Sequence, residues 1–117
     1  MPQASELVKQ KVDAVKQKAV DKLSAAAQRL LDSAKARAAK IREEAATAAK
    51  KVEDKGDREA SKLQANAKGN PLLKLGADRA AAEIRKKSEA AAAKIISSAE
   101  EQAQKVIADA EEKARSL

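Results

Sequence analysis

Lys68-Gly69-Asn70-Pro71 is the only clear break in an otherwise helical sequence, and its reading decides the fold. Glycine tolerates the left-handed conformation that ends helices, so Gly69 suits the position just past a helix C-terminus. Asn70 can cap the next helix with its side-chain oxygen. Pro71 suits the first helical position, where its missing N–H is not needed and its φ is already helical. A helix end, a cap and a helix start thus occupy three adjacent residues. A connection this short most often joins antiparallel neighbours. The alternative is a kink in one long rod; the hairpin is the expectation adopted.

Outward from the turn, both sides carry the same spacing. On the N-terminal side Val8, Ala19, Leu30, Ile41, Val52 and Leu63 stand eleven residues apart. Val12, Leu23, Ala34, Ala45, Gly56 and Ala67 run beside them, as do Ala27, Ala38, Ala49 and Ala60. On the C-terminal side the step recurs in Leu73, Ile84, Ile95, Val106 and Leu117. Ala77, Ser88, Ala99 and Ala110 accompany it, with Ala81, Ala92, Ala103 and Ala114. Leu63 to Leu73 is ten residues, so the phase slips at the turn, as a real break requires. An eleven-residue repeat has about 3.67 residues per turn, slightly more than the ~3.6 of a straight helix. The apolar stripe therefore drifts toward a right-handed supercoil, whereas heptads give the left-handed kind.

These spacings predict an all-α fold: a long antiparallel helical hairpin packed as a right-handed, eleven-residue-repeat (hendecad) coiled coil. Its expected parts are a disordered N-terminus over 1–4, helix one over 5–68 with Ser5 as N-cap, a turn over 69–71 (Gly69, Asn70, Pro71), and helix two over 71–117, all one coiled-coil domain. The expected core is Leu23, Leu30, Ile41, Val52, Leu63, Ile84, Ile95, Val106 and Leu117. If the chain reverses at Asn70, facing residues have numbers summing to about 140. Leu63 then faces Ala77, Val52 faces Ser88, Ile41 faces Ala99 and Leu30 faces Ala110. Ile84 faces Gly56, Ile95 faces Ala45 and Val106 faces Ala34. Large residues meet small ones in every layer, which is how layers interdigitate without voids. Lys55-Gly56-Asp57 could be a hinge, but the repeat runs through it unbroken. A continuous helix is preferred, at about 1 kcal/mol relative to alanine, with Gly56 making room for Ile84.

Helix one exceeds helix two by the segment 5–22, which has no partner within the chain. It carries Val8, Val12, Val15 and Val20 among lysines. Unpaired apolar residues there suggest self-association or docking to another chain; fraying is the alternative. A two-helix hairpin buries little per residue, so dimerisation into a four-helix assembly is expected.

Composition narrows the function. Of 117 residues 44% are hydrophobic, none is aromatic, and much of the apolar content is alanine, so a compact globular core is not expected. High charge with few large apolar residues also fits disorder, but a disordered tail has no reason to hold an eleven-residue repeat. There is no histidine and no cysteine, so common bases, nucleophiles and transition-metal ligands are missing. Glu43-Glu44, Glu100-Glu101 and Glu111-Glu112 read as solvated helix surface rather than acid/base pairs, which need a cleft. Three scattered glycines make no phosphate loop. The expectation is a non-enzyme with no catalytic, metal or cofactor-binding residues.

The formal net charge of +7 is compatible with an anionic partner. The signs are interspersed, however, as a solvated helix face has them, and nucleic-acid binding is not expected without aromatic stacking residues or a motif. A membrane surface is the second alternative, because eleven-residue repeats also occur in helices lying on lipid. Against it, the apolar face is narrow and alanine-rich. No apolar run approaches a transmembrane length, and Met1-Pro2-Gln3 leads into polar helix without a signal-peptide pattern.

The segment Ile84–Leu117, with Ile95-Ile96, Val106-Ile107 and the Ala-Glu-Glu-Lys-Ala run over 110–114, resembles two kinds of protein. One is the peripheral-stalk subunits of rotary ATPases, whose alanine-rich eleven-residue repeats form right-handed coiled coils. The other is similar over more of the chain: the alanine- and lysine-rich C-terminal tails of AsmA-like envelope proteins of the Bacteroidetes. Their resemblance includes the Gly-Asn-Pro-Leu-Leu break over 69–73. It implies a periplasmic or cell-envelope module. Stalk helices run on without a hairpin, so the turn departs from that pattern.

The function expected from all of this is a structural or interaction coiled coil that mediates self-association or assembly. The alternative is an amphipathic helical protein binding lipid surfaces.

Overall fold

Alanine, lysine, glutamate, arginine, glutamine and leucine are the strongest helix formers, and no proline interrupts either half of the chain. The computed structural model accordingly contains two helices, α1 over Pro2–Asn66 and α2 over Pro71–Ser116. It describes backbone from residue 2 and side chains from residue 24 onward. The cap expected at Ser5, the valines of the 5–22 segment and the core position Leu23 lie outside the described side chains. The chain is an all-α helical hairpin.

The helix limits differ slightly from those expected. α1 begins at Pro2 rather than residue 5 and ends at Asn66 rather than 68, and α2 ends at Ser116. At the end of α1 the hydrogen bonding tightens to i→i−3. Lys68 N donates to Ala65 O at 3.2 Å and Asn70 N to Ala67 O at 3.2 Å. Such bonds satisfy carbonyls that the ending helix leaves over, so regular α geometry stops two residues early. The rest of the turn follows the sequence chemistry. Gly69 has φ +90°, which side chains disfavour. Asn70 Oδ1 accepts from Leu73 N at 3.2 Å, the bond an N-cap makes. The Asn70 carbonyl accepts the first bond of α2, from Lys74 N at 2.8 Å.

The helices divide into two compact units. The first comprises residues 38–104 and contains the turn. Here α1 and α2 run antiparallel. Arg42 meets Glu100, Asp57 meets Arg85, and Gln64 meets Asp78, so numbers rise along one helix as they fall along the other. All three pairs sum to 142, two more than the register expected. The buried residues of this unit are Ala38, Ala45, Ala49, Ala60, Ala67, Ala81, Ala92, Ala99 and Ala103, with Gly56 also buried. Its seam is therefore built from the smallest side chains.

The second unit comprises residues 1–37 with 105–117. Among its described residues Ala34 and Ala110 are buried. Leu30, Leu31, Val106 and Ile107 are half-buried around them. Leu31, Glu111, Ala114 and Arg115 line one groove between the two segments.

The expected core requires correction. Leu30, Ile41, Val52, Ile84, Ile95 and Val106 are half-buried, not enclosed. Leu63 is 37% exposed and Leu117 49% exposed. The cause is geometric. Two helices share one line of closest approach, and small residues on that line let the backbones come together. Larger side chains are then displaced to its flanks, where no third helix covers them.

Candidate interaction face

The line of closest approach passes between Gly56 and Ser88. A Cβ placed on Gly56 would overlap Ser88 Oγ and lie 2.5 Å from Ser88 Cβ. Of Ile84, only the backbone oxygen comes near, at 3.8 Å. The space expected for the Ile84 side chain is therefore taken by Ser88. The Ser88 hydroxyl donates to Ile84 O at 2.9 Å, satisfying its hydrogen with a local backbone acceptor. Small meets small at the seam; the large-against-small layering expected at Gly56 does not occur.

An eleven-residue step covers three helical turns and returns a side chain to nearly the same side. That geometry gives the 38–104 unit two unlike faces. On one, Ile41 and Ile95 border a groove of about 670 Å³ with Ala45, Ala91 and Ala99, and the polar Glu44, Lys94, Ser98 and Gln102 stand at its edges. The expected pairs Ile41–Ala99 and Ala45–Ile95 do lie together there. Val52 and Leu63 follow Ile41 at eleven-residue steps, and Ile84 and Leu73 precede Ile95 likewise. Leu63 and Leu73 border a second groove of about 430 Å³ with Leu72, Gly76, Ala77 and Ala80. Six aliphatic side chains thus form one face. Leu73 is 60% exposed, and beside the turn Leu72 is 85% and Leu75 57% exposed.

The other face is mainly polar. Arg42 grips Glu100 with two bonds, Nε to Oε2 and Nη2 to Oε1, both 2.8 Å. Two parallel bonds of this kind match the planar guanidinium to the two carboxylate oxygens. The hydrogen bond from Arg42 holds the Glu100 carboxyl below its ordinary value, against the opposing effect of desolvation. Gln104 adds a bond to Glu100 Oε1 at 3.3 Å. Further along, Arg85 Nε lies 3.5 Å from Asp57 Oδ1, and Arg85 Nη2 donates to Gln64 Oε1 at 3.2 Å. Gln64 Nε2 donates to Asp78 Oδ1 at 3.2 Å. Ile96, eleven residues after Arg85, is the aliphatic exception on this side and is 50% exposed.

The arrangement presents a half-open aliphatic face on one side and cross-helix ion pairs on the other. Among the described residues no group of acidic side chains could hold a metal ion. Among the same residues no helix is long and apolar enough to cross a membrane. The turn residues Gly69, Asn70 and Pro71 stand where the sequence placed them and shape the reversal. Of the nine aliphatic positions expected as core, those described from Ile41 to Ile95 instead make up the open face. What the sequence reading missed was the alanine seam. A signal for it exists: the rows Ala34–Ala45–Gly56–Ala67 and Ala77–Ser88–Ala99–Ala110 contain no large residue.

Compared with protein-family models, curated proteins and solved structures, the chain matches none.

Proposed function

We propose that this helical hairpin is a non-catalytic structural module that works by self-association, as an eleven-residue-repeat coiled coil with right-handed supercoiling. The observation that carries this is the open aliphatic face of the 38–104 unit. Ile41, Val52, Leu63, Leu73, Ile84 and Ile95 are each half-buried or exposed, while the seam is closed by alanines and by Gly56 against Ser88. A contiguous apolar face on a soluble helix pair marks an interaction surface. Supercoiling is supported by the spacing of buried residues. Ala38, Ala49 and Ala60 are eleven apart, as are Ala81, Ala92 and Ala103, and that period exceeds the straight-helix value. The resemblance to envelope-protein tails adds the cell envelope as the setting in which such a module would serve.

Sedimentation equilibrium with circular dichroism in the absence of lipid tests the proposal. A helical chain whose mass rises to dimer or higher with concentration supports it. The competing reading is a lipid-surface helix. A monomer that gains helicity only with anionic vesicles would establish that reading and overturn self-association. Ile95→Asp separates them further: it disrupts a coiled-coil assembly and barely changes lipid-free helicity in a surface binder.

A further inference from the structure

We propose that a second copy of this chain covers the aliphatic face in an antiparallel sense, α1 over α1 and α2 over α2, with Glu44 of each copy against Lys55 of the other. This rests on the self-association proposed above and adds its geometry. The face has a centre line on each helix. On α2 it is marked by Ala91, which borders the same groove as Ile95 four residues on. On α1 the corresponding residue is Ala48, four before Val52. Both are exposed, and neither takes part in the hairpin seam. Small residues at these points let a second helix pair approach closely, as Gly56 and Ser88 do within the hairpin.

A second copy fits because it carries the same period. A partner without an eleven-residue repeat would match one layer and fall out of step in the next. Charge then chooses between the two symmetric ways of stacking. Glu44 borders the groove, and Lys55 lies eleven residues further along the same side. With α1 antiparallel over α1, centred near Ala48, each Glu44 comes level with Lys55 of the second copy. Ile41 then falls between Val52 and Leu63 of the second copy, so the large side chains interleave. On α2, Lys87 comes level with Ser98, which also borders the groove. If instead α1 lay over α2 of the second copy, the hairpin's own register would bring Lys55 level with Lys87. Like charges at an interface disfavour that arrangement.

The chain has no cysteine, so single introduced thiols report geometry directly. Ala48→Cys under mild oxidation is expected to give a disulfide-linked dimer. Ala46→Cys, exposed and eleven residues before Asp57 on the polar side, is expected to stay monomeric on a denaturing gel. Lys55→Glu is expected to raise the dimer dissociation constant roughly tenfold, and Glu44→Lys with Lys55→Glu to restore it. Helicity by circular dichroism confirms that these exposed substitutions leave the fold intact. If the unmodified chain sediments as a monomer at sub-millimolar concentration, self-association itself fails. If it dimerises but Ala46→Cys cross-links in place of Ala48→Cys, or the charge exchange does not restore affinity, self-association stands and this geometry is overturned.

Discussion

Gly56 of α1 is packed against Ser88 of α2 so closely that a single methyl group on Gly56 would overlap the serine side chain. That contact reverses the usual sign of a substitution. Inside a helix, glycine to alanine normally stabilises by about 1 kcal/mol. Here the added Cβ meets Ser88 Cβ at 2.5 Å, and overpacking a closed interface costs about 1–3 kcal/mol. Gly56→Ala is expected to lower stability by about 1 kcal/mol net. Gly56→Ala with Ser88→Gly returns the space, and the pair should show strong coupling in a double-mutant cycle. Urea unfolding at fixed chain concentration measures both. A stabilising Gly56→Ala would show that the helices do not approach here.

The other two glycines bracket that result. Gly76 has open space around it, so Gly76→Ala should raise stability by about 1 kcal/mol. Gly69 is also open, but its φ of +90° is one that an alanine resists. Gly69→Ala should lower stability by about 1–2 kcal/mol. Three glycines in one chain would then respond to the same substitution for three different reasons. The same unfolding midpoints, ordered Gly76→Ala above the unmodified chain and Gly69→Ala below it, provide the check.

The turn was legible because its chemistry is local. Helix end, cap and helix start depend on Gly69, Asn70 and Pro71 alone. The open side chains were legible as a stripe, since Ile41, Val52 and Leu63 keep their spacing wherever the partner helix lies. Which row of the stripe faces the partner was harder. The expectation that large residues enclose the core holds when several helices converge. A single helix pair has one seam, and Ala38, Ala45 and Ala49 occupy it while Ile41 stands to the side. The register missed by two residues for a related reason. An alanine-rich repeat fits several registers almost equally in its apolar rows. The register that forms is marked by the pairs Arg42–Glu100 and Asp57–Arg85 and by the close contact of Gly56 with Ser88, and the charged pairs lie outside the apolar pattern.

Asn70 is expected to matter more than its exposure suggests. Its side-chain oxygen takes the Leu73 N–H, one of the donors that the start of α2 would otherwise leave to water. Asn70→Ala should cost about 0.5–2 kcal/mol, whereas Asn70→Asp or Asn70→Ser should cost much less. Amide exchange at Leu73 and Lys74 should rise in the alanine variant before exchange elsewhere in α2. Uniform exchange along α2 would mean that the cap does not hold the helix start.

The Arg42–Glu100 pair gives stability a pH dependence of defined sign. The bond from Arg42 lowers the Glu100 carboxyl below its ordinary 4.5 in the folded chain. A carboxyl lowered on folding contributes stability that is present above its unfolded value. That contribution is lost as pH falls through the folded value. The loss from this pair therefore begins near pH 4.5 and continues below it. Carboxyl-detected titration should place Glu100 below the ordinary glutamate value. In Arg42→Gln its midpoint should move up toward that value, and the variant should lose less stability on acidification. A Glu100 midpoint unchanged by Arg42→Gln would remove the ion pair as the cause.

Ala92 tests whether the seam is as closed as its burial indicates. It is 1% exposed, and leucine is nearly as good a helix former as alanine. Propensity alone therefore predicts little change for Ala92→Leu. At the seam, however, the larger side chain has no room unless the helices separate, and the expected loss is about 1–3 kcal/mol. Ala93→Leu, one residue along and exposed, should stay within about 0.5 kcal/mol of the unmodified chain. The contrast between neighbours isolates packing from helix formation, since both substitutions add the same side chain to the same helix. Equal unfolding midpoints for the two variants would mean that α1 does not lie over Ala92, and the alanine seam would have to be abandoned.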